Sequence, residues 1–381
     1  MIYLDHAATT PMSSAALEVY VKSAKEYFAN TSSLHEQGEK SKQLLEQCRK
    51  EIAGIIHANP KEIFFTSGGT ESNYTALESL FSANKHKNSH AITSKVEHPS
   101  VHSFFKKLEQ EGVEVTYLDV DCYGHISLDE LKKSIRSNTV LASIQHVNSE
   151  TGTIQPLYDI GVLLKTHGVI FHSDCVQSFT KLPLHVDSLP VDALSFSSHK
   201  IFGPKGTGAV FISSKVSWKP TQLLTTHEYG FRPGTVDTPG IAAFTTAAME
   251  AIEQQETSLE STAQLRKIFF EELTPIAHKL TVEGSAHAQL PYIIGLSIEG
   301  LEGQYMLLTL DRYGICISTG SACQSGKHEP SVMMQALNKT TQEAKRFFRI
   351  SLGRTTTKEE IVRTAEIIKK CVYEKERLTS G

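Results

Sequence analysis

Asp192-Ala193-Leu194-Ser195-Phe196-Ser197-Ser198-His199-Lys200 runs directly into Ile201-Phe202-Gly203-Pro204-Lys205-Gly206-Thr207-Gly208. The alternation over 192–196 predicts a buried strand, and two hydroxyls, an imidazole and an amine follow it just before a turn rich in glycine and proline. An amine held at the end of a core strand beside such groups suits an enzyme that keeps an aldehyde cofactor covalently. A solvated strand-end lysine is the plainer alternative. The surrounding chain decides between them.

Working outward, short β-prone runs recur at 63–66, 91–93, 113–117, 140–144, 169–172, 193–196 and 209–212. Most gaps between them hold amphipathic segments of helical length, such as 100–110, 127–135 and 157–166, after a first helical pattern that starts near Ser13. That alternation predicts an α/β domain with a mostly parallel sheet, in which ligands gather beyond the carboxyl ends of the strands.

The residues just past each run are therefore the informative ones. Thr66-Ser67-Gly68-Gly69-Thr70-Glu71-Ser72 opens a helix with free N–H groups and close backbone approach, a pattern that suits a phosphate and also suits a simple turn. Glu97-His98 follows the second run. Ser173-Asp174-Cys175-Val176-Gln177 follows the fifth, and a carboxylate at a buried strand tip needs a positive or protonated partner, for which a pyridinium nitrogen would serve, unless it caps the next helix. A phosphate cradle, a ring, a pyridinium partner and Lys200 on one sheet edge jointly match the needs of pyridoxal 5'-phosphate.

Composition narrows the classes. At 381 residues the chain is long enough for about two domains, and its 40% hydrophobic and 21% charged residues are ordinary for a globular protein. A net charge of -4 gives no footprint for direct nucleic-acid binding. No apolar run approaches a membrane span, and Met1 to His6 lacks the features of a signal peptide, so a cytoplasmic protein without membrane association is expected. Six scattered cysteines offer neither a disulfide framework nor metal-finger spacing. The turn at 203–208 does not fit a P-loop, and no histidine cluster suggests a catalytic metal.

Beyond residue 240 the pattern changes. Residues 242–264 and on to Leu280 read as long helical segments, a strand is expected at 293–298, and a second, smaller domain is expected to begin near residue 250. Gly320-Ser321-Ala322-Cys323-Gln324-Ser325-Gly326 predicts an exposed loop, with Lys327 and His328 near enough in sequence to favour a thiolate at Cys323. Cys316 reads as a core strand residue. Arg349, inside the apolar run 348–352, suits capture of a carboxylate or a structural ion pair.

Taken together these motifs resemble the cysteine desulfurases of the class V aminotransferase group, nearly end to end. The resemblance rests on Tyr3 to Pro11, Phe65 to Glu71, Glu97-His98, Asp174 to Gln177, Ser197 to Lys200, Arg232 to Thr235, Gly320 to Cys323 and Arg349 to Arg354. Ser321-Ala322-Cys323 followed by Glu329-Pro330-Ser331 is similar to the branch with the long, flexible cysteine loop. The resemblance implies a fold-type I enzyme. A large α/β domain over 12–250 would hold a mostly parallel seven-stranded sheet between helices, and a smaller α+β domain would span 251–381 with residues 1–11 beside it. It implies that Lys200 holds the cofactor aldehyde, Asp174 pairs with the ring nitrogen, His98 stacks on the ring and is a candidate acid, and Gln177 bonds the phenolic oxygen. Gly69, Thr70, Ser197, Ser198 and His199 would complete the cofactor site, with Thr235 reaching across a homodimer. Asn148, Ser149 and Arg349 would hold the substrate carboxylate. Cys323 would attack the sulfur of L-cysteine, carry it as a persulfide to an acceptor protein such as an iron–sulfur scaffold or a sulfurtransferase, and transiently ligate an iron–sulfur cluster. The implied alternatives are selenocysteine lyase, another pyridoxal-phosphate enzyme of this fold, or a silent sulfur-transfer scaffold. The sequence departs from the family pattern at Ser149, at Leu224-Thr225-Thr226 and at Ala29-Asn30-Thr31.

Overall fold

The structure, a computed structural model, describes residues 1–221, 227–285, 287–320 and 331–379. Its strands are β1 (Ile2–Tyr3), β2 (Ile63–Thr66), β3 (His90–Ser94), β4 (Glu114–Leu118), β5 (Thr139–Ser143), β6 (Ile170–Asp174), β7 (Ala193–Ser197), β8 (Gly208–Ile212), β9 (Leu280–Glu283), β10 (Ile293–Ile298), β11 (Ile315–Cys316) and β12 (Phe347–Ser351). Seven of them form one sheet in the order β2-β8-β7-β6-β5-β3-β4. Only β8 runs against its neighbours; β7, β6, β5, β3 and β4 are parallel.

Burial explains why these runs become strands. Every residue of β2, β3, β5, β7 and β8 is buried, as expected for short apolar stretches covered on both faces, whereas the edge strand β4 exposes Glu114. Helix Pro99–Gln110 presents Val101, Phe104, Phe105 and Leu108 to one covered face, an i, i+3, i+4, i+7 stripe. Its start is set by Pro99 in the first turn and by the His98 side chain, which accepts from Ser100 N–H.

The long helical segments expected over 242–264 and on to Leu280 are present, with the division between them at Gln254. Asp237 caps a helix over Thr238–Glu253, a second helix spans Gln255–Glu272, and Pro275 begins a 3-10 segment over Thr274–Lys279. The break falls at Gln254, whose ψ of 7° leaves the helical range.

A second sheet, in the order β12-β10-β9, is antiparallel and packs over a separate core that includes Leu4, Phe269, Met306, Phe348 and Ile368. β1 pairs in parallel with β11, and Asp5 bridges to Ser351, so the first residues lie against this sheet. Cys316, expected in the core, is only half-buried because the two-residue β11 pairs with the short, partly exposed β1. No helix of the described residues is long and apolar enough to cross a membrane.

Candidate active site

β2, β3, β5, β6 and β7 share a direction, since β2 and β7 both oppose β8, so their carboxyl ends meet at one edge. That edge collects Gly68–Thr70, Glu97–His98, Gln145–Asn148, Asp174–Gln177 and Ser197–Lys200. The strand order therefore brings together positions more than a hundred residues apart in the chain.

Gly68 has a φ of +141°, a conformation that side chains with a Cβ rarely adopt, and it opens helix Gly69–Asn84. A Cβ on Gly69 would stand 2.7 Å from Val176 Cγ2 and 3.5 Å from Ser197 Cβ. The helix start thus lies against the ends of β6 and β7. The buried Ser197 Oγ has no protein hydrogen-bond partner. Glu71 braces the cradle from behind. It accepts from Ser67 N–H at 2.5 Å and from Arg232 Nε at 2.9 Å. Burial pushes its carboxyl up, but these donors outweigh that and hold it below its usual range. Thr70 and Thr235 are exposed, whereas the fully buried Ser198 packs its Oγ against Gly203.

Asp174 ends β6, buried at 7% exposure. Its Oδ1 accepts from Val176 N–H at 2.9 Å, and its Oδ2 accepts from Asn73 Nδ2 at 2.6 Å. His98, Asp174 and Lys200 stand at or beyond the ends of β3, β6 and β7, and both Asp174 and Lys200 act on the charge of His98. Burial lowers the His98 pKa, Asp174 opposes that and Lys200 adds to it. Glu97 lies fully inside, accepting from Ser94 Oγ at 2.5 Å and from Gln145 N–H at 3.0 Å, and burial pushes its carboxyl up to about 8.

Lys200 Nζ donates to the carbonyls of Ala7 and Ala8, each at 2.6 Å. Gln177 Nε2 donates to the same Ala7 oxygen at 3.0 Å, and its Oε1 has no protein partner. His199 Nδ1 meets Thr9 Oγ1 at 3.1 Å, and burial, then Lys200, lower its pKa to about 4. The N-terminal turn over 5–10 is thus the wall that faces the lysine.

Arg349, 2% exposed on β12, donates from Nη2 to Asp5 Oδ1 at 2.7 Å and from Nη1 to the Ser149 carbonyl at 2.8 Å, while its buried Nε has no partner. Asn148 spends its oxygen on Glu150 N–H, Thr151 N–H and the Thr151 hydroxyl, and its Nδ2 donates to the Val96 carbonyl at 3.3 Å. It shapes the 148–153 turn and retains one amide proton for a ligand. A cavity of about 530 Å³ opens between His98, Asn148 and Ser149 on one side and Met333 and Gln335 on the other.

Cys323, Lys327, His328 and Leu224-Thr225-Thr226 lie outside the described residues. Among the described residues no group of three histidine, cysteine or acidic side chains could hold a metal ion. The sequence reading passed over Asn73, Ser100 and the Ala7 and Ala8 carbonyls. Backbone oxygens leave no residue signal, and an asparagine and a serine inside helical patterns look like ordinary polar positions.

A family profile described as class-V aminotransferase matches residues 2–363. The chain is 48% identical over 363 residues, 95% of its own length and 92% of the relative's, to a "Putative cysteine desulfurase NifS" of Bacillus subtilis (strain 168). A solved "NIFS-LIKE PROTEIN" superposes with a TM-score of 0.91 at 30% identity, covering 98% of this chain and 99% of the other. "SspA in complex with cysteine" superposes with a TM-score of 0.82 at 34% identity, covering 94% of this chain and 100% of the other.

Proposed function

This chain belongs to the class-V aminotransferase family, and we propose that it is a pyridoxal-phosphate-dependent cysteine desulfurase that takes sulfur from L-cysteine and leaves L-alanine. The observation that carries this reading is the meeting of Lys200, Asp174 and His98 at the sheet edge beside the Gly68–Gly69 cradle. The unpartnered, buried Ser197 Oγ and Gln177 Oε1 are polar atoms of the kind a phosphate and a hydroxyl-bearing ring would engage, so the donor set fits the cofactor.

In this reading the backbone of Gly69 and Thr70, with Ser197 and His199, holds the phosphate, and Thr235 of a second copy completes it in a homodimer. Ser198, turned to Gly203, supports the turn that carries Lys200. Asp174 holds the ring nitrogen, His98 covers the ring face, Gln177 faces the ring oxygen, and Lys200 holds the aldehyde. Bound there, pyridoxal phosphate would supply a sink for the electron pair released at the substrate Cα. Lys200, freed by the incoming amine, takes the Cα proton, and His98 is placed to return one. Arg349 pairs with the substrate carboxylate through donors left free by Asp5 and Ser149, and Asn148 contributes its remaining proton. The Cys323 thiolate attacks the substrate sulfur, the Cβ–S bond breaks with its electron pair left on carbon, where a proton completes alanine, and the sulfur stays on Cys323 as a persulfide.

A sulfur-acceptor protein, an iron–sulfur scaffold or a sulfurtransferase, then takes the sulfur, and Cys323 is the residue that would touch a cluster. A cytoplasmic setting belongs to the same reading, supported by five unpaired cysteines among the described residues. The test uses the cofactor-loaded enzyme with L-cysteine and a reductant. Wild type is expected to release sulfide and alanine, and Cys323→Ala to keep the cofactor colour without sulfide. Mass spectrometry should find one added sulfur on Cys323, and sulfide release by Cys323→Ala at the wild-type rate would sink the proposal.

A further inference from the structure

Four side chains at the strand ends are joined in one line. Asn73 Nδ2 lies 2.6 Å from Asp174 Oδ2 and 3.0 Å from Ser100 Oγ, and Ser100 Oγ lies 2.7 Å from His98 Nδ1. The directions of these bonds follow from what each group can donate. The Asn73 nitrogen is the donor in both of its bonds, with one proton for Asp174 and the other for Ser100. Ser100 Oγ accepts from Asn73 and keeps its own single proton, which is free to turn to His98 once Nδ1 is an acceptor. The Ser100 backbone N–H also points at His98 Nδ1, at 3.2 Å. Two donors therefore aim at one ring nitrogen, and that nitrogen carries no proton.

We infer that Asn73 and Ser100 are positioning residues. Through the one-way chain from Asn73 to Asp174 on one side, and through Ser100 to His98 on the other, they hold His98 as the neutral Nε2–H tautomer and tie its ring to the carboxylate at the end of β6. Asn73 and Ser100 are themselves buried, so water does not compete for these bonds. A proton arriving at Nδ1 would have to displace both Ser100 donors. The charged and titratable groups that act on the ring are Asp174 at the end of β6, Lys200 beyond β7 and His102 one turn along its own helix, while the neighbouring Glu97 is held by Ser94 and Gln145. Of the first two, Asp174 favours and Lys200 opposes the charged ring, and burial is the largest influence. Ser100 adds a specific bond that acts in the same direction as burial. For a ring laid on a protonated pyridine, a neutral imidazole avoids repulsion and keeps an N–H available at Nε2. What His98 does with that N–H rests on the proposed desulfurase reading; the chain itself does not.

The experiment reads the ring directly in the cofactor-free protein labelled with nitrogen-15 in its histidines. Wild type is expected to show His98 with an unprotonated Nδ1 and a protonated Nε2 at pH 7. In Ser100→Ala the loss of one hydrogen bond to the neutral ring should raise its titration midpoint by about 0.7 pH unit. Ser100→Thr, which keeps the hydroxyl, should restore the wild-type midpoint. In the loaded enzyme, the acid limb of kcat for Ser100→Ala should move up by a similar amount while KM for L-cysteine changes less than about twofold. A proton on Nδ1 in wild type, or a midpoint in folded Ser100→Ala that matches wild type, overturns the inference. Should Ser100→Ala not fold, Asn73→Ala frees the Ser100 hydroxyl to rotate while the Ser100 N–H still points at Nδ1, so the Nε2–H tautomer is expected to persist with a raised midpoint; a midpoint that matches wild type overturns the inference. Failure of desulfurase activity with the tautomer as stated would reject only the functional reading.

Discussion

Glu228→Ala removes the counter-charge of a buried arginine. Arg49, on helix Glu36–Ile55, and Glu228 are each 2% exposed at the side chain. Glu228 accepts from Arg49 Nη1 and Nη2 at 2.8 Å each and from Phe65 N–H at 2.7 Å, while Arg49 also reaches the Ile63 carbonyl at 2.6 Å. Truncation therefore leaves a guanidinium in the interior with only the half-exposed Glu46, at 3.2 Å, and strands a β2 amide. Removing one partner of such a pair costs about 3–5 kcal/mol. At ~2.1 cal/mol/K per residue, 381 residues give an unfolding entropy of ~0.8 kcal/mol/K, so the midpoint of a thermal melt should fall by about 4–6 °C. The double variant Arg49→Met/Glu228→Leu, with no charge left inside, should recover most of that loss. Glu36→Ala, which breaks a fully exposed pair with Lys40, should not move the melt measurably. The reasoning fails if Glu228→Ala melts with the Glu36→Ala control, or if the double variant falls as far as the single one.

Gly69→Ala would push a methyl to 2.7 Å from Val176 Cγ2, so cofactor retention in equilibrium dialysis should fall, and adding Val176→Ala should restore it. Lys181 stacks over Tyr292 with Nζ 5.6 Å from the ring centroid, and burial, then Lys200, lower its pKa to about 7. Between pH ~7 and ~10.4 only the unfolded chain holds that proton, so stability is lost as pH falls across this window, and Lys181→Met should stabilise most at or below pH 7 and little near pH 10.5 in urea melts. Glu97 behaves oppositely. With its folded pKa at about 8, only the folded chain holds the proton between pH ~4.3 and 8, so stability is lost as pH rises through that window, and Glu97→Gln should flatten the decline.

All seven expected runs appear as strands within two residues of their predicted bounds. Most were legible because they are short, apolar and covered on both faces, and the edge strand β4 because its residues alternate, conditions under which a local pattern settles the structure. The strand ends were legible for a related reason: a carboxylate such as Asp174 and an amine such as Lys200 are costly at buried positions, so their presence there asks for a partner. Pairings far apart in sequence were not legible. Nothing around Asp5 announces Arg349, 344 residues away, and nothing around Arg49 announces Glu228. The break at Gln254 escaped because neither glycine nor proline marks it.

The histidines sharpen what the site edge can do. His6 is pulled to about 4, chiefly by burial and then by Lys181; His199 is pulled to about 4 by burial and then by Lys200; His98 is lowered as well. At neutral pH these rings are therefore hydrogen-bonding groups and not cations. A phosphate seated at Gly68–Gly69 would draw on backbone N–H groups and neutral donors for orientation, and on Lys200 and Arg232 for any nearby positive charge. Arg232 is already engaged by Glu71. Such a cradle favours directional grip over net attraction, which suits a group that must stay fixed while the amine beside it changes partners.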